Sequence, residues 1–481
     1  MMPKSISRQL AKLGGLGSRT ADLQLRKILA LLLFLAGTGL CRGDSHWVGS
    51  WAASQQPVEP ANSLPPDDLK DATLRQVVHL SIGGEQLRVH ISNRFGSGPL
   101  HLTSVHVAQP LTATQGKILE ATDKVLTFSG MADVTIPAGA DCVSDPLEFH
   151  AAPLSDLTIT FHIDASPSSQ TGHPGSRATS YIVHGDLVGA ADVPQAKKVE
   201  HWYFISGVDV LAPSDAATIA VLGDSITDGH GATVDGNDRW TDALARRLQA
   251  VGATQTLGVL NEGIGGNRLL LDGLGPNALA RLDHDVLAQA GVRYLVVLEG
   301  INDIGMLTHD GEVPQAQHNS LVRDMIAAYE QIVARAHAHG INVIGATLLP
   351  FVDSQYYHPG RSSEADRQAV NCWIRAPGHF DSVIDFDQLT RDPQHPDRLL
   401  PAFDSGDHLH PSLAGYAAMA EAVPLSAFAR AQTVATSALR IAITFDEFFG
   451  DSPMSPDGTP LDLIETHAGG YPSTGLRGLN R

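Results

Sequence analysis

Five short runs in the second half of this chain are apolar almost from end to end: ATIAVLG (217–223), TLGVLN (256–261), YLVVLEG (294–300), INVIGATLL (341–349) and SVIDF (382–386). A strand with one wet face alternates polar and apolar residues. A strand apolar throughout needs cover on both faces, as in a parallel sheet. Between the runs lie stretches of helix-forming composition at 242–250, 280–290, 320–340 and 363–376, and Gly340 stops the longest. The repeated strand–helix order predicts a doubly wound α/β domain over 214–430. No internal repeat is evident.

The first half obeys a different period. Val78, Leu80 and Ile82 alternate with polar residues, Gly83-Gly84 turns the chain, and Leu87, Val89 and Ile91 alternate again. That pattern predicts a hairpin. Leu157, Ile159, Phe161 and Ile163 alternate the same way. An antiparallel β-sandwich accessory domain is expected over 46–210. Trp47, Trp51, Trp202 and Tyr203 read as core rather than as a platform for sugar.

Both ends stand apart. Lys4, Arg8, Lys12, Arg19, Arg26 and Lys27 precede an apolar stretch at 28–40 that is too short for a membrane span, so 1–43 reads as a signal peptide. A lipid anchor on Cys41 wants a small residue before it, and Leu40 stands there. The expected location is secreted or periplasmic, with no stable membrane span after signal removal. Residues 431–481 read as a poorly ordered tail. TFDE at 444–447 faintly resembles the opening TFDD of polysaccharide deacetylases, but the histidines such a motif requires do not follow.

Removal of 1–43 leaves 26 basic and 51 acidic residues, a formal charge of −25. Such a chain repels phosphate backbones and anionic lipid, which excludes nucleic acid and favours neutral partners. Cys142 and Cys372 remain. They are not a CxxC site, and one disulfide or two buried thiols both fit.

Ligands of a doubly wound sheet sit beyond the carboxyl ends of its strands. Four polar blocks stand there. The first strand ends in Gly223-Asp224-Ser225, the second in Asn261-Glu262-Gly263-Ile264-Gly265-Gly266-Asn267, the third in Gly300-Ile301-Asn302-Asp303. Asp404-Ser405-Gly406-Asp407-His408-Leu409-His410-Pro411 follows the fifth. Each has a bland reading. Gly-Asp-Ser is also a helix N-cap pattern. The glycine loop is also a tight turn, and it is no dinucleotide fingerprint, because Arg268 stands at the last required glycine. Asn302 is also a turn residue. His408 and His410 are metal-ligand types, but no third ligand stands at motif spacing.

Together the blocks supply an acyl-transfer site: a hydroxyl at Ser225, a base at His410, an orienting carboxylate at Asp407, and oxyanion donors at the Ser225 and Gly265 amides and the Asn302 side chain. One such donor is worth about 2.7–4 kcal/mol in the transition state. The spacing of Asp407 and His410 puts both on one side of a helical turn, and Pro411 suits the first position of the last helix. The helix after Ser225 is expected to aim its positive end at the site.

In these four blocks the chain resembles the GDSL, or SGNH, hydrolases, whose marks are Ser, Gly, Asn and His in that order. They fall on Ser225 in GDSIT, Gly265 in NEGIGGN, Asn302 in GIND, and His410 with Asp407 in DHLHP. Ile226 replaces the Leu of the family name. Thr227 stands where the G-x-S-x-G of α/β-hydrolases needs its final Gly. The resemblance implies a three-layer α/β/α fold and a Ser-His-Asp triad with no metal and no cofactor. The first half looks like the β-rich domain of secreted bacterial members described as lipase-like or as xylan esterases. The expected function is a secreted serine esterase acting on a small-molecule or polysaccharide ester, with polysaccharide deacetylation the first reading. A broad short-chain esterase or lipase is the alternative, and a non-catalytic carbohydrate-binding protein the alternative of another class. Tyr356, Tyr357 and His358 are expected to line the pocket. The oligomeric state is not legible.

Overall fold

A computed structural model of the chain describes residues 45–112 and 114–428. The leader at 1–43, Cys41, the tail at 431–481 and the TFDE motif lie outside these residues. The chain divides into two compact units, 1–429 and 430–481, and the first holds every element described below.

The antiparallel part contains β1 (Ser45–Ala52), β2 (Ala72–His79), β3 (Gly84–Ser92), β4 (Leu100–Ala108), β5 (Asp156–Ile163), β6 (Ser180–His184) and β7 (Ile205–Pro213). One sheet runs β6–β2–β5–β4 and another β1–β7–β3, each extended by short strands. Alternation along each strand sends Leu74, Val105 and Phe161 of the first and Val89, Val208 and Val210 of the second into one apolar cluster.

The hairpin expected across Gly83-Gly84 does not form. β2 pairs with β5 and β6, whereas β3 pairs with β7. The Leu80 amide donates to Ser155 O at 2.8 Å and the Ser81 amide to Ser50 O at 2.9 Å, and these bonds carry the chain from one sheet to the other. Period-two alternation reports a half-buried strand, not its partner. Trp51, Trp202 and Tyr203 are buried, and Trp47 lies beneath the Arg88 guanidinium, 4.7 Å from its ring. Cys142 and Cys372 are both free, half-buried and exposed respectively, so neither sequence alternative holds.

Strands β8 (Ala217–Gly223), β9 (Leu257–Gly263), β10 (Val292–Leu298), β11 (Asn342–Ala346) and β12 (Ser382–Ile384) form a parallel sheet in the order β9–β8–β10–β11–β12. All of β8 is buried, as an apolar central strand requires. The chain leaves β8 to one side and returns on the other, so the carboxyl end of β8 is the switch point where a crevice opens. Helices α1 (Ser225–Asp228), α2 (Trp240–Gln249), α3 (Ala278–Leu282), α4 (Ile301–Thr308), α5 (Gln315–Ala338), α6 (Arg361–Arg375), α7 (Phe386–Thr390) and α8 (Leu413–Ala422) accompany the sheet. The helix expected over 280–290 is shorter, because α3 widens into a π turn at Asp283–Leu287. On α5, Met325, Ala328, Tyr329, Ile332 and Ala336 are buried, one stripe at the helical period. Burial of a side chain such as Ile332 stabilises the fold by about 1.5–3 kcal/mol. Among the described residues no helix is long and apolar enough to cross a membrane.

The two kinds of sheet touch directly. The Gly49 amide on β1 bonds Thr218 Oγ1 on β8 at 3.0 Å and Ala290 O at 2.9 Å. A side chain on β9 at Gly258 would put its Cβ 2.4 Å from Gly49 O, so only glycine permits this approach.

Candidate active site

β8 delivers Ser225 to the crevice. Asp224 caps α1, its Oδ1 accepting from the Ile226 amide at 2.9 Å, and Gly229 ends the helix in the left-handed region at φ +93°. A Cβ on Gly223 would lie 2.7 Å from Leu298 O, so the sharp exit from the strand needs glycine. The helix is a single turn, four residues long. A macrodipole sums aligned peptides over several turns, so the expected dipole contribution is replaced by individual amides.

Ser225 Oγ lies 2.7 Å from His410 Nε2, and His410 Nδ1 lies 2.6 Å from Asp407 Oδ2. Ser225 and His410 are nearly buried, at 7% and 8% exposure, so little water competes for these bonds. Asp407 and His410 do not sit on a helical turn. They occupy a bend in which Asp407 Oδ1 accepts from the Leu409 amide at 3.0 Å and the His410 amide at 2.8 Å. A short carboxylate side chain closes this turn as a backbone carbonyl would. Burial opposes ionisation of Asp407, but the His410 ring, the His410 amide and the Leu409 amide outweigh it and hold the carboxyl well below its usual range. Pro411 is not the first residue of the last helix: Ser412 caps α8 by accepting from the Gly415 amide at 3.2 Å, and Pro411 precedes the cap.

Gly265 and Asn302 line the same cleft as Ser225 and His410. The Gly265 loop is anchored by the Ile264 amide, which donates to Gly223 O at 3.0 Å. Asn302, in the first turn of α4, donates from Nδ2 to Asn267 O at 2.6 Å. Its Oδ1 accepts from the Tyr357 hydroxyl at 2.5 Å. The carbonyl end of the amide is thereby held on Tyr357, and burial pushes the Tyr357 phenol above its usual range, so it stays a donor. Tyr356 and Tyr357 line the cleft; His358 is not among its lining residues.

Residues 221–418 match the GDSL-like lipase/acylhydrolase family. Over these residues the chain carries a domain of that family, which makes it an ester hydrolase. The chain is similar to a lipolytic protein of the G-D-S-L family from Desulfitobacterium hafniense, at 19% identity over 43% of this chain and 97% of that one, with a TM-score of 0.32. A GDSL-like lipase from Bacteroides thetaiotaomicron is 18% identical over 44% of this chain and 87% of that one, with a TM-score of 0.33. An acetylxylan esterase from Geobacillus stearothermophilus is 22% identical over 43% of this chain and 91% of that one, with a TM-score of 0.32. No curated protein matches the chain significantly.

Several groups around the site of this GDSL-type hydrolase carry no local signature. Arg281, fully buried at the end of α3, bonds Gly223 O at 2.9 Å, Glu262 O at 2.7 Å and Asn267 Oδ1 at 3.0 Å. It thus ties the ends of β8 and β9 to the glycine loop. Asp285 Oδ2 answers its charge at 3.0 Å. Burial pushes Asp224 up to about 7 and Asp303 up to about 6, and it holds Glu262 and Glu299 well above the carboxylate range. Burial thus opposes ionisation of the acids beneath Ser225.

The β-rich region reaches the same place. His173 Nε2 lies 2.9 Å from Asp228 Oδ1 at the end of α1, and His173 Nδ1 lies 2.8 Å from Ser54 O. His230 stacks on His410 with ring centroids 3.9 Å apart. Ligand atoms of His230, Asp407 and His410 lie within 4.8 Å of one another, the only such metal-capable trio among the described residues. At 2.6 Å, however, Asp407 and the His410 ring are hydrogen-bonded to each other rather than spread around an ion. His408 turns away to Asp404, 2.6 Å distant, so the His408–His410 pair does not converge. His230 was visible in ITDGHG, but nothing in its spacing marks it.

Proposed function

We propose that this ester hydrolase is a secreted serine esterase that deacetylates polysaccharide, with Ser225 as nucleophile, His410 as base and Asp407 as its orienting carboxylate. The reading places a three-layer α/β/α unit behind a β-sandwich. The carrying observation is the unbroken hydrogen-bond chain Ser225 Oγ–His410–Asp407 at 2.7 and 2.6 Å, at the switch point of the sheet. His410 takes the Ser225 proton as Oγ attacks the ester carbonyl. The Ser225 and Gly265 amides and Asn302 Nδ2 receive the oxyanion. His410 then protonates the leaving alcohol, and a water, deprotonated by His410, releases the acid from Ser225. Secretion is supported by the basic leader and apolar stretch within 1–43.

Polar side chains from the β-rich region, Gln56, Asn62 and His201, line the cleft, which suits a hydroxyl-rich alcohol. A second reading, a short-chain esterase or lipase, is favoured by Leu274, Met306 and Tyr356, which line the cleft and remain exposed at 43%, 38% and 61%.

A fluorophosphonate probe followed by peptide mass analysis tests the nucleophile, and hydrolysis of p-nitrophenyl esters from acetyl to decanoyl tests the acyl preference. One adduct on Ser225 and a maximum at acetyl are expected, with no loss of rate in a chelator. An adduct elsewhere overturns the serine assignment, and a maximum at eight carbons or more moves the function to lipid.

Tyr357→Phe isolates the positioning of Asn302. A lost hydrogen bond is worth roughly 1 kcal/mol net. The variant is expected to lose about five- to tenfold in kcat at nearly constant KM, because the amide would be misaimed only where the oxyanion forms. Unchanged kcat would remove Tyr357 from the site.

A further inference from the structure

The cleft wall contributed by the β-rich region holds a charge that nothing among the described residues answers. Arg177 follows the short strand Thr171–His173 and lines the cleft together with Ser225 and His410. Its backbone sits at φ +48°, in the left-handed region that side chains disfavour. Neighbouring bonds hold it there. Arg177 O accepts from the Asp235 amide at 2.9 Å, and the Asp235 carboxylate accepts from the amide and hydroxyl of Thr179 at 2.7 Å each. Ser176 O accepts from the Arg239 guanidinium. The loop that aims Arg177 is fixed on both sides.

The Arg177 guanidinium makes no hydrogen bond or ion pair among the described residues, and its Nε is buried without a partner. Such a group costs free energy until something accepts its protons. The chain has 52 acidic residues against 33 basic ones, so a carboxylate partner would be easy to supply. The acids of the cleft are engaged elsewhere: Asp228 with His173, Asp407 with His410, and Glu59 with the Asn62 amide. The other arginine of the cleft, Arg268, folds back onto the Asp272 carbonyl.

Arg177 and His230 line one cleft with Ser225, and His230 stacks on His410. His410 is the group that hands its proton to the departing alcohol in the reading above.

We propose that Arg177 is an anion subsite for the alcohol half of the ester, so that the preferred substrate is an acylated sugar whose ring also bears a carboxylate. The planar fork of a guanidinium matches a carboxylate with two parallel hydrogen bonds. The net negative charge of the chain does not forbid this, because charges farther away than about 8 Å are largely screened at physiological salt. The proposal rests on the serine esterase reading above.

The test compares acetate release from mono-O-acetylated methyl glucuronoside and methyl glucoside by the full chain, Arg177→Gln and Ser225→Ala. The wild type is expected to favour the glucuronoside by about tenfold or more in kcat/KM. Arg177→Gln is expected to bring that ratio close to one. A companion measurement needs no variant: glucuronate should inhibit hydrolysis of p-nitrophenyl acetate at lower concentration than glucose does. A wild-type ratio of one, equal inhibition by the two sugars, or a ratio that survives Arg177→Gln overturns the anion subsite. If Ser225 is essential while the ratio is one, only the subsite falls. If Ser225→Ala cleaves both esters at the wild-type rate, the serine reading falls and the subsite with it.

Discussion

Ser225→Ala should lower kcat on acetyl esters by about 10⁴-fold or more while leaving KM and thermal stability nearly unchanged. Removing the hydroxyl deletes the group placed 2.7 Å from His410 Nε2. The fold has little reason to notice. The bonds that shape α1 are made by the Ser225 carbonyl, which accepts from the Gly229 and His230 amides at 2.9 Å each. The capping bond belongs to Asp224. Residual activity would then report the amide donors alone, still well above water. Steady-state kinetics beside a melting curve separate the outcomes. A variant within tenfold of wild type in kcat, with an unchanged melting temperature, would mean that another group attacks the ester.

Arg281→Met should destabilise the protein by about 3–5 kcal/mol, the cost of leaving a buried ion without its partner. Methionine fills part of the volume but makes none of the bonds to Gly223 O, Glu262 O, Asn267 and Ser54 Oγ. Asp285 is left fully buried with a charge that His284 alone must answer, 2.8 Å away. Urea unfolding of the full chain measures the loss. The double variant Arg281→Met with Asp285→Asn should recover part of it, because the second change removes the stranded charge. Activity of the single variant should fall even where it stays folded, since the ends of β8 and β9 lose their common tie. A single variant within about 1 kcal/mol of wild type would show that the buried network contributes little.

Much of this arrangement is readable from residue order. The apolar runs mark β8 to β12 because a strand covered on both faces tolerates few polar residues. Ser225, Gly265, Asn302, Asp407 and His410 lie at the ends of those runs, and all five line one cleft. What escaped reading depends on contacts between distant positions. β2 and β3 pair with other strands, and the chain between them is held by Ser50 and Ser155, far from the glycine pair in sequence. Asp407 and His410 meet in a bend, because the carboxylate accepts two amides and leaves no room for a helical turn. Arg281 serves three separate segments, and its neighbours in sequence say nothing of that. Arg177 is conspicuous only through a missing partner, which a sequence cannot display.

The bond between His173 and Asp228 gives this architecture a seam that does not follow the family boundary. The match begins at 221, yet Gln56, Asn62, Arg177 and His201 shape the cleft from the other side. A protein cut at that boundary would keep its reactive groups and lose a wall. The β-rich half meets the cleft through residues that are separate from Ser225, Asp407 and His410. Substitutions at Gln56, Asn62, Arg177 or His201 would reshape the cleft and leave Ser225, Asp407 and His410 in place.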